Sequence, residues 1–130
     1  MRVPARERTI DGQNGPIPVR VFVPAQPRGA YLHLHGGGYV LGQADHSDVR
    51  NSALARRCQV AVVSVDYRRA PEDPYPAPVD DCEAVAGWLL AHAREELGAE
   101  RLVIGGESAG ATFAAATLVR LRDRHGIRYP

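Results

Sequence analysis

Apolar residues along this chain recur with two different periods. In PIPVRVFVP, Ile17, Val19, Val21 and Val23 fall on one face at period two, which predicts a strand with one buried side. Gln13, Asn14 and Gly15 before it form a hairpin-turn signal, joining it to a short strand near residues 8–11. AYLHLH (30–35), QVAVVSVDY (59–67) and residues 102–104 are runs rich in β-branched, aromatic and other apolar residues, as expected of buried strands. Between them the period changes. Ser47 is placed to cap a helix reaching about residue 57, and Val79, Cys82, Val85, Leu89 and Ala93 step by threes and fours along a second helix that Gly98 stops. A third, alanine-rich helix starts at Ser108 and ends near residues 124–126. Prolines at 71, 74, 76 and 78 predict an ordered extended loop. Strands alternating with helices give an α/β fold, mostly parallel, opened by an antiparallel hairpin.

The bulk numbers narrow the field without choosing a function. A length of 130 residues allows one domain, with 45% apolar and 24% charged residues as in ordinary globules. A net charge of +1 gives no footprint for nucleic acid. All 16 basic residues are arginine, a bias that points to genomic base composition. The N-terminus has no apolar run of signal-peptide length, nothing approaches a membrane span, and a cytoplasmic location is expected. Cys58 and Cys82 are expected to be reduced, semi-buried thiols.

The chemistry concentrates where strand 102–104 turns into the third helix, at GGESAG (105–110). Gly-rich strand-to-helix turns often hold anions. Gly105 and Gly110 have the spacing of a phosphate-binding loop, but Ala111 stands where its lysine belongs and the chain contains no lysine. A dinucleotide fingerprint starting at Gly36 fails at Leu41. The sequence therefore calls for no cofactor and no metal. Gly106-Glu107-Ser108-Ala109-Gly110 instead fits G-x-S-x-G, where a nucleophilic serine occupies a sharp turn and Gly106 and Gly110 are needed because a Cβ would strike folded backbone.

A second motif, HGGGY (35–39), follows the strand at 30–34 and offers backbone N–H groups that a carbonyl oxygen can approach. His35 itself is better read as bonded to neighbouring loop backbone than as catalytic. With DYRRAPEDPYPA (66–77) and GESAG, in this order and with 73 residues from His35 to Ser108, the chain resembles the hormone-sensitive-lipase-like (α/β-hydrolase fold-3) esterases from about residue 12 to 123. The resemblance implies an α/β-hydrolase fold and hydrolysis of small carboxylic esters. It makes Ser108 the nucleophile and the N–H groups of Gly36, Gly37, Gly38 and Ala109 the oxyanion hole, with Gly37 and Gly38 foremost and residues 66–72 structural. Glu107, Arg69 and Ala111 depart from the usual aspartate, leucine and glycine.

In this fold a serine nucleophile is followed by an acid and then a histidine. After Ser108 come only Asp123 and His125, which a helix carries some 22–25 Å away. His35 and His46 should lie nearer, but without an orienting acid they make poor bases. The reading is a single partial domain, 1–130, truncated after the helix of the serine turn, without cap helices or later strands. Its rival is a catalytically inactive remnant that binds a carbonyl or anion. The unpaired outer edge of strand 101–105, with Phe113, Leu118 and Leu121 short of cover, is expected to promote self-association.

Overall fold

The structure is a computed structural model that describes residues 1–128. Strands β1 (Arg6–Gly12) and β2 (Gly15–Phe22) form the hairpin, paired from Arg6 opposite Val21 to Gly12 opposite Gly15. β3 (Ala30–Leu34), β4 (Ala61–Val65) and β5 (Leu102–Gly106) are mutually parallel, while β2 runs antiparallel to β4. The sheet order is β1-β2-β4-β3-β5. Helix α1 (Asp48–Cys58), preceded by a 3-10 turn at Ala44–Ser47, links β3 to β4; α2 (Ala77–Leu97) links β4 to β5; α3 (Ala109–His125) follows β5.

Strand periodicity sorts the core into two unequal layers. Ile17, Val19, Val21, Leu32, Leu34, Val63 and Val65 face α2 and α3, where Val79, Cys82, Val85, Leu89, Phe113 and Leu121 close over them. The opposite face carries Phe22, Val62 and Ala55 of α1, a much smaller apolar set. The remaining buried positions on that side are polar: His33, Ser64 and Asn51.

Several local expectations change. Ser47 makes no capping hydrogen bond and has φ −100°, because it belongs to the 3-10 turn that feeds α1. The proline segment is not extended to its end. Pro78 lies in the first turn of α2, where a missing N–H leaves no helix bond unmade. Gly98 and Gly126 terminate α2 and α3 in the left-handed conformation. The thiols are free, but Cys58 is exposed and Cys82 buried.

The outer edge is less bare than the sequence suggests. Among the described residues β5 pairs only with β3, yet Phe113, packed edge-on against Tyr39 and Tyr67, and Leu121 are both buried, and Leu118 is half-buried. On β5 and α3 the exposed large apolar residues are Val103, 62% accessible, and Val119. Val103 sits opposite Tyr31 on the α1 side, where the sheet extends past the helix.

Adjacent leucines on α2 test this layering. Leu89 is buried and Leu90 is 41% exposed. Leu89→Ala should lower unfolding free energy by about 2–5 kcal/mol, and Leu90→Ala should stay within about 0.5 kcal/mol, both read from denaturant midpoints. Equal losses would contradict the assigned face.

Candidate active site

The register of two parallel neighbours brings the glycine motifs together. Leu34, last in β3, lies opposite Gly106, last in β5, so HGGG and ESAG leave the sheet side by side at its C-terminal edge. Their approach is close. A Cβ on Gly106 would overlap the Leu34 carbonyl oxygen, and one on Gly110 would overlap the same oxygen and come within 2.6 Å of the His35 carbonyl. A Cβ on Gly36 would stand 2.8 Å from the Glu107 carbonyl and 3.4 Å from the Ser108 Cβ. These are requirements for absent side chains.

Ser108 occupies the tip of the turn, exposed, with φ 55° and ψ −120°. Positive φ in a non-glycine residue costs of order 1–3 kcal/mol and persists only when the surroundings over-determine it. Here they do. Gly110 N–H donates to the Glu107 carbonyl at 2.9 Å, and Ala111 and Thr112 N–H donate to the Ser108 carbonyl at 3.0 and 3.2 Å, so the first turn of α3 fastens the corner. Buried Ala109 supplies one of the unpaired N–H groups at the start of that helix.

The facing loop is built with equal constraint. Gly37 has φ 142°, and a Cβ there would overlap the Leu41 carbonyl; Gly38 has φ 62° in open space. Leu41 N–H donates to the Gly37 carbonyl at 2.8 Å. Beneath the loop His35 is buried, its Nδ1 2.8 Å from the Gly36 carbonyl and its ring stacked on Tyr67 at 4.2 Å. It is thus a scaffold for loop backbone, as its sequence context suggests. Tyr67 also donates its hydroxyl to the His35 carbonyl and meets Phe113 edge-on at 5.0 Å. Tyr39, itself at φ 71°, packs edge-on against Phe113 from above.

Residues 66–72 brace this arrangement. Arg69 donates to the Gly42 carbonyl, Ala70 N–H to the Tyr39 carbonyl at 3.1 Å, and Arg68 clamps the buried Asp81 carboxylate through its backbone N–H and guanidinium at 2.8–3.2 Å. Arg69, the departure from leucine, thereby holds the far end of the glycine loop.

His33, which sequence reasoning passed over, lies fully buried behind Glu107. Its Nε2 is 3.0 Å from both carboxylate oxygens, and its Nδ1 is 2.8 Å from Ser64 Oγ and 3.3 Å from Asn51 Nδ2. Arg50 completes an ion pair with Glu107. Burial pushes the His33 ring below its ordinary pKa, and the Glu107 carboxylate pulling the other way does not offset it. Burial raises the pKa of Glu107, but His33 and Arg50 together hold it below the usual carboxylate range. A signal existed in the sequence: Tyr31 and His33 alternate along β3, placing polar residues on the face that Ser64 of β4 shares.

None of the five histidines attends Ser108. His33 and His35 are engaged as described, His46 lies exposed 3.9 Å from Asp45, His92 packs near Trp88, and His125 bonds Glu83 at 3.0 Å. Asp123 pairs with Arg122 near the far end of α3. A polar cleft of about 420 Å³ lies elsewhere, between the hairpin and the Gln43–Asp45 turn; its Arg20 is already paired with Asp48 and Glu7, and the cleft takes no part in the site.

A family model described as α/β hydrolase fold matches residues 31–129. The chain belongs to this family, in its hormone-sensitive-lipase-like group. It is 43% identical over 124 residues to the esterase LipI of Mycobacterium tuberculosis, covering 90% of this chain and 38% of that protein. It is 42% identical to the carboxylesterase NlhH of the same species, covering 92% and 39%. Among solved structures, a hyperthermophilic esterase from Pyrobaculum calidifontis superposes with a TM-score of 0.88 at 38% identity over 94% of this chain and 41% of that one. A bacterial heroin esterase gives 0.90 at 38% identity over 96% and 41%. The chain thus spans about two fifths of the length of these relatives.

The buried histidines predict an acid sensitivity. His33 and His35 both have folded pKa values depressed by burial, so their contribution is full above the unfolded value of about 6.5 and is lost as pH falls toward the folded values. The unfolding free energy, and with it the melting temperature, should fall as pH drops below about 6.5, at no more than about 1.4 kcal/mol per pH unit for each ring. His33→Gln should flatten that slope. A melting temperature independent of pH in this range would remove the assignment.

Proposed function

We propose that the protein of which this chain is part is a serine carboxylesterase, acting on small esters through an acyl-enzyme on Ser108. The observation carrying this reading is the Leu34–Gly106 register, which sets an exposed serine at strained φ against a loop of free backbone N–H groups. Ser108 Oγ attacks the ester carbonyl, its proton passes to a base, the alcohol leaves, and water hydrolyses the acyl-enzyme. The N–H groups of Gly37, Gly38 and Ala109, with Gly36 at the root of the loop, stabilise the tetrahedral oxyanion. One such donor typically contributes about 3 kcal/mol. No cofactor enters the proposed reaction, and no helix among the described residues is long and apolar enough to cross a membrane.

The described residues hold no base in reach of Ser108, so the acid and base come from outside them. The relatives' esterase names favour this reading over a remnant that only binds.

In the whole protein a fluorophosphonate probe should label Ser108, located by peptide mass spectrometry, and Ser108→Ala should abolish the label. Labelling of another residue with Ser108→Ala indifferent would sink the nucleophile assignment. The 130-residue chain alone should hydrolyse a short-chain nitrophenyl ester no faster than its Ser108→Ala variant. Turnover well above that variant would mean that a histidine in these residues acts as base after all.

The β5 edge should pair with a second copy of this chain when nothing else covers it. Light scattering after size exclusion should show association that Val103→Lys reduces. A monomer at all concentrations would overturn this.

A further inference from the structure

The α1 side of the sheet contains a polar cluster that the proposed chemistry does not use. His33, Ser64 and Asn51 are buried where Val62 and Phe22 show that apolar residues fit, and Asn51 Oδ1 has no hydrogen-bond partner. An unsatisfied buried polar atom costs about 1–3 kcal/mol, so stability alone does not account for the cluster. Its bonds run toward one point. Both Glu107 carboxylate oxygens lie 3.0 Å from His33 Nε2 and can only accept, which assigns the proton to that nitrogen; Arg50 Nη2, 3.0 Å from the same nitrogen, bonds the carboxylate as well, and Nδ1 accepts from Ser64 and Asn51. Ser64 and His33 are direct cross-strand partners, and Asn51 reaches in from α1. The ring is therefore fixed from two elements and directs a single donor at Glu107, the residue before Ser108.

We propose that His33 is a positioning residue for Ser108: through its Nε2–H bond to the Glu107 carboxylate, backed by Arg50, it fixes the direction in which the Ser108 hydroxyl and the Ala109 N–H face the Gly36–Gly38 loop. This rests on the nucleophile reading above. The backbone of Glu107 is held by Gly110 N–H, and its carbonyl lies where a Cβ on Gly36 would stand 2.8 Å away. Its side chain is the remaining freedom of the corner, and His33 removes it. The charged and titratable groups facing His33 are Glu107, Arg50, the Tyr31 ring at 5.9 Å and His35.

The test uses the whole protein, with the acid and base that activate Ser108 in place, carrying His33→Leu, which keeps bulk but no donor, or His33→Gln, whose amide N–H can replace Nε2–H. His33→Leu should slow fluorophosphonate labelling of Ser108 at least tenfold in a chain that melts no lower than wild type, and His33→Gln should recover most of the rate. Independently, the backbone amide resonances of Ser108 and Ala109 should follow protonation of the His33 ring, with a midpoint below about 6.5. That inflection should vanish in His33→Gln and shrink in Glu107→Gln. A folded His33→Leu chain labelled at the wild-type rate overturns the proposal, as do Ser108 and Ala109 amides indifferent to His33. Should wild-type Ser108 take no label, the nucleophile reading fails by itself and the amide shifts decide the role of His33. Should His33→Leu not fold, the glutamine variants decide it by the same shifts.

Discussion

Gly106 and Gly110 lie against the same atom, the carbonyl oxygen of Leu34, and a Cβ on either would overlap it. That approach holds the end of β5 and the start of α3 on the end of β3. With the strand ends in register, the chain between the two glycines has three residues in which to reverse, and Ser108 takes the strained tip. The helix then starts with its N–H groups facing the glycine loop. Moving β5 by one residue would put side chains where only hydrogens fit, so the register that makes the core also makes the site.

The two faces of the sheet divide the work. Toward α2 and α3 the strands present an almost wholly apolar surface, and burial there supplies the stability that tolerates strain at Ser108 and Tyr39. Toward α1 the C-terminal ends of β3 and β4 carry polar groups directed at the back of the serine turn. Tyr67 connects the two, buried among the apolar residues while its hydroxyl holds the His35 carbonyl. The glycine loop is thus bonded from below through backbone atoms, leaving its outer N–H groups free.

Much of this was legible because periods and glycines have local causes. The step pattern of Val79, Cys82, Val85 and Leu89 dictates a buried stripe whatever the partner, and G-x-S-x-G states a steric need that few other corners share. The cover over Phe113 was not legible, since it comes from Tyr39 and Tyr67, which lie far from it in sequence. Nor was Ser47 outside the capping role, which turned on a 3-10 turn that no residue pattern announces. His33 was overlooked for another reason. A histidine inside an apolar run reads as a tolerated exception until its cross-strand partner Ser64, 31 positions later, gives it one.

Positioning and activation of Ser108 are physically separable, and this chain contains the first without the second. None of its five histidines bonds Ser108, so nothing among the described residues activates the hydroxyl. The strain at the corner nonetheless persists, because backbone bonds and packed glycines sustain it and no acid or base does. The geometry of the turn is a property of the β3–β5–α3 unit. On the proposed reading an acid and base have only to take one proton from a hydroxyl that this unit already aims.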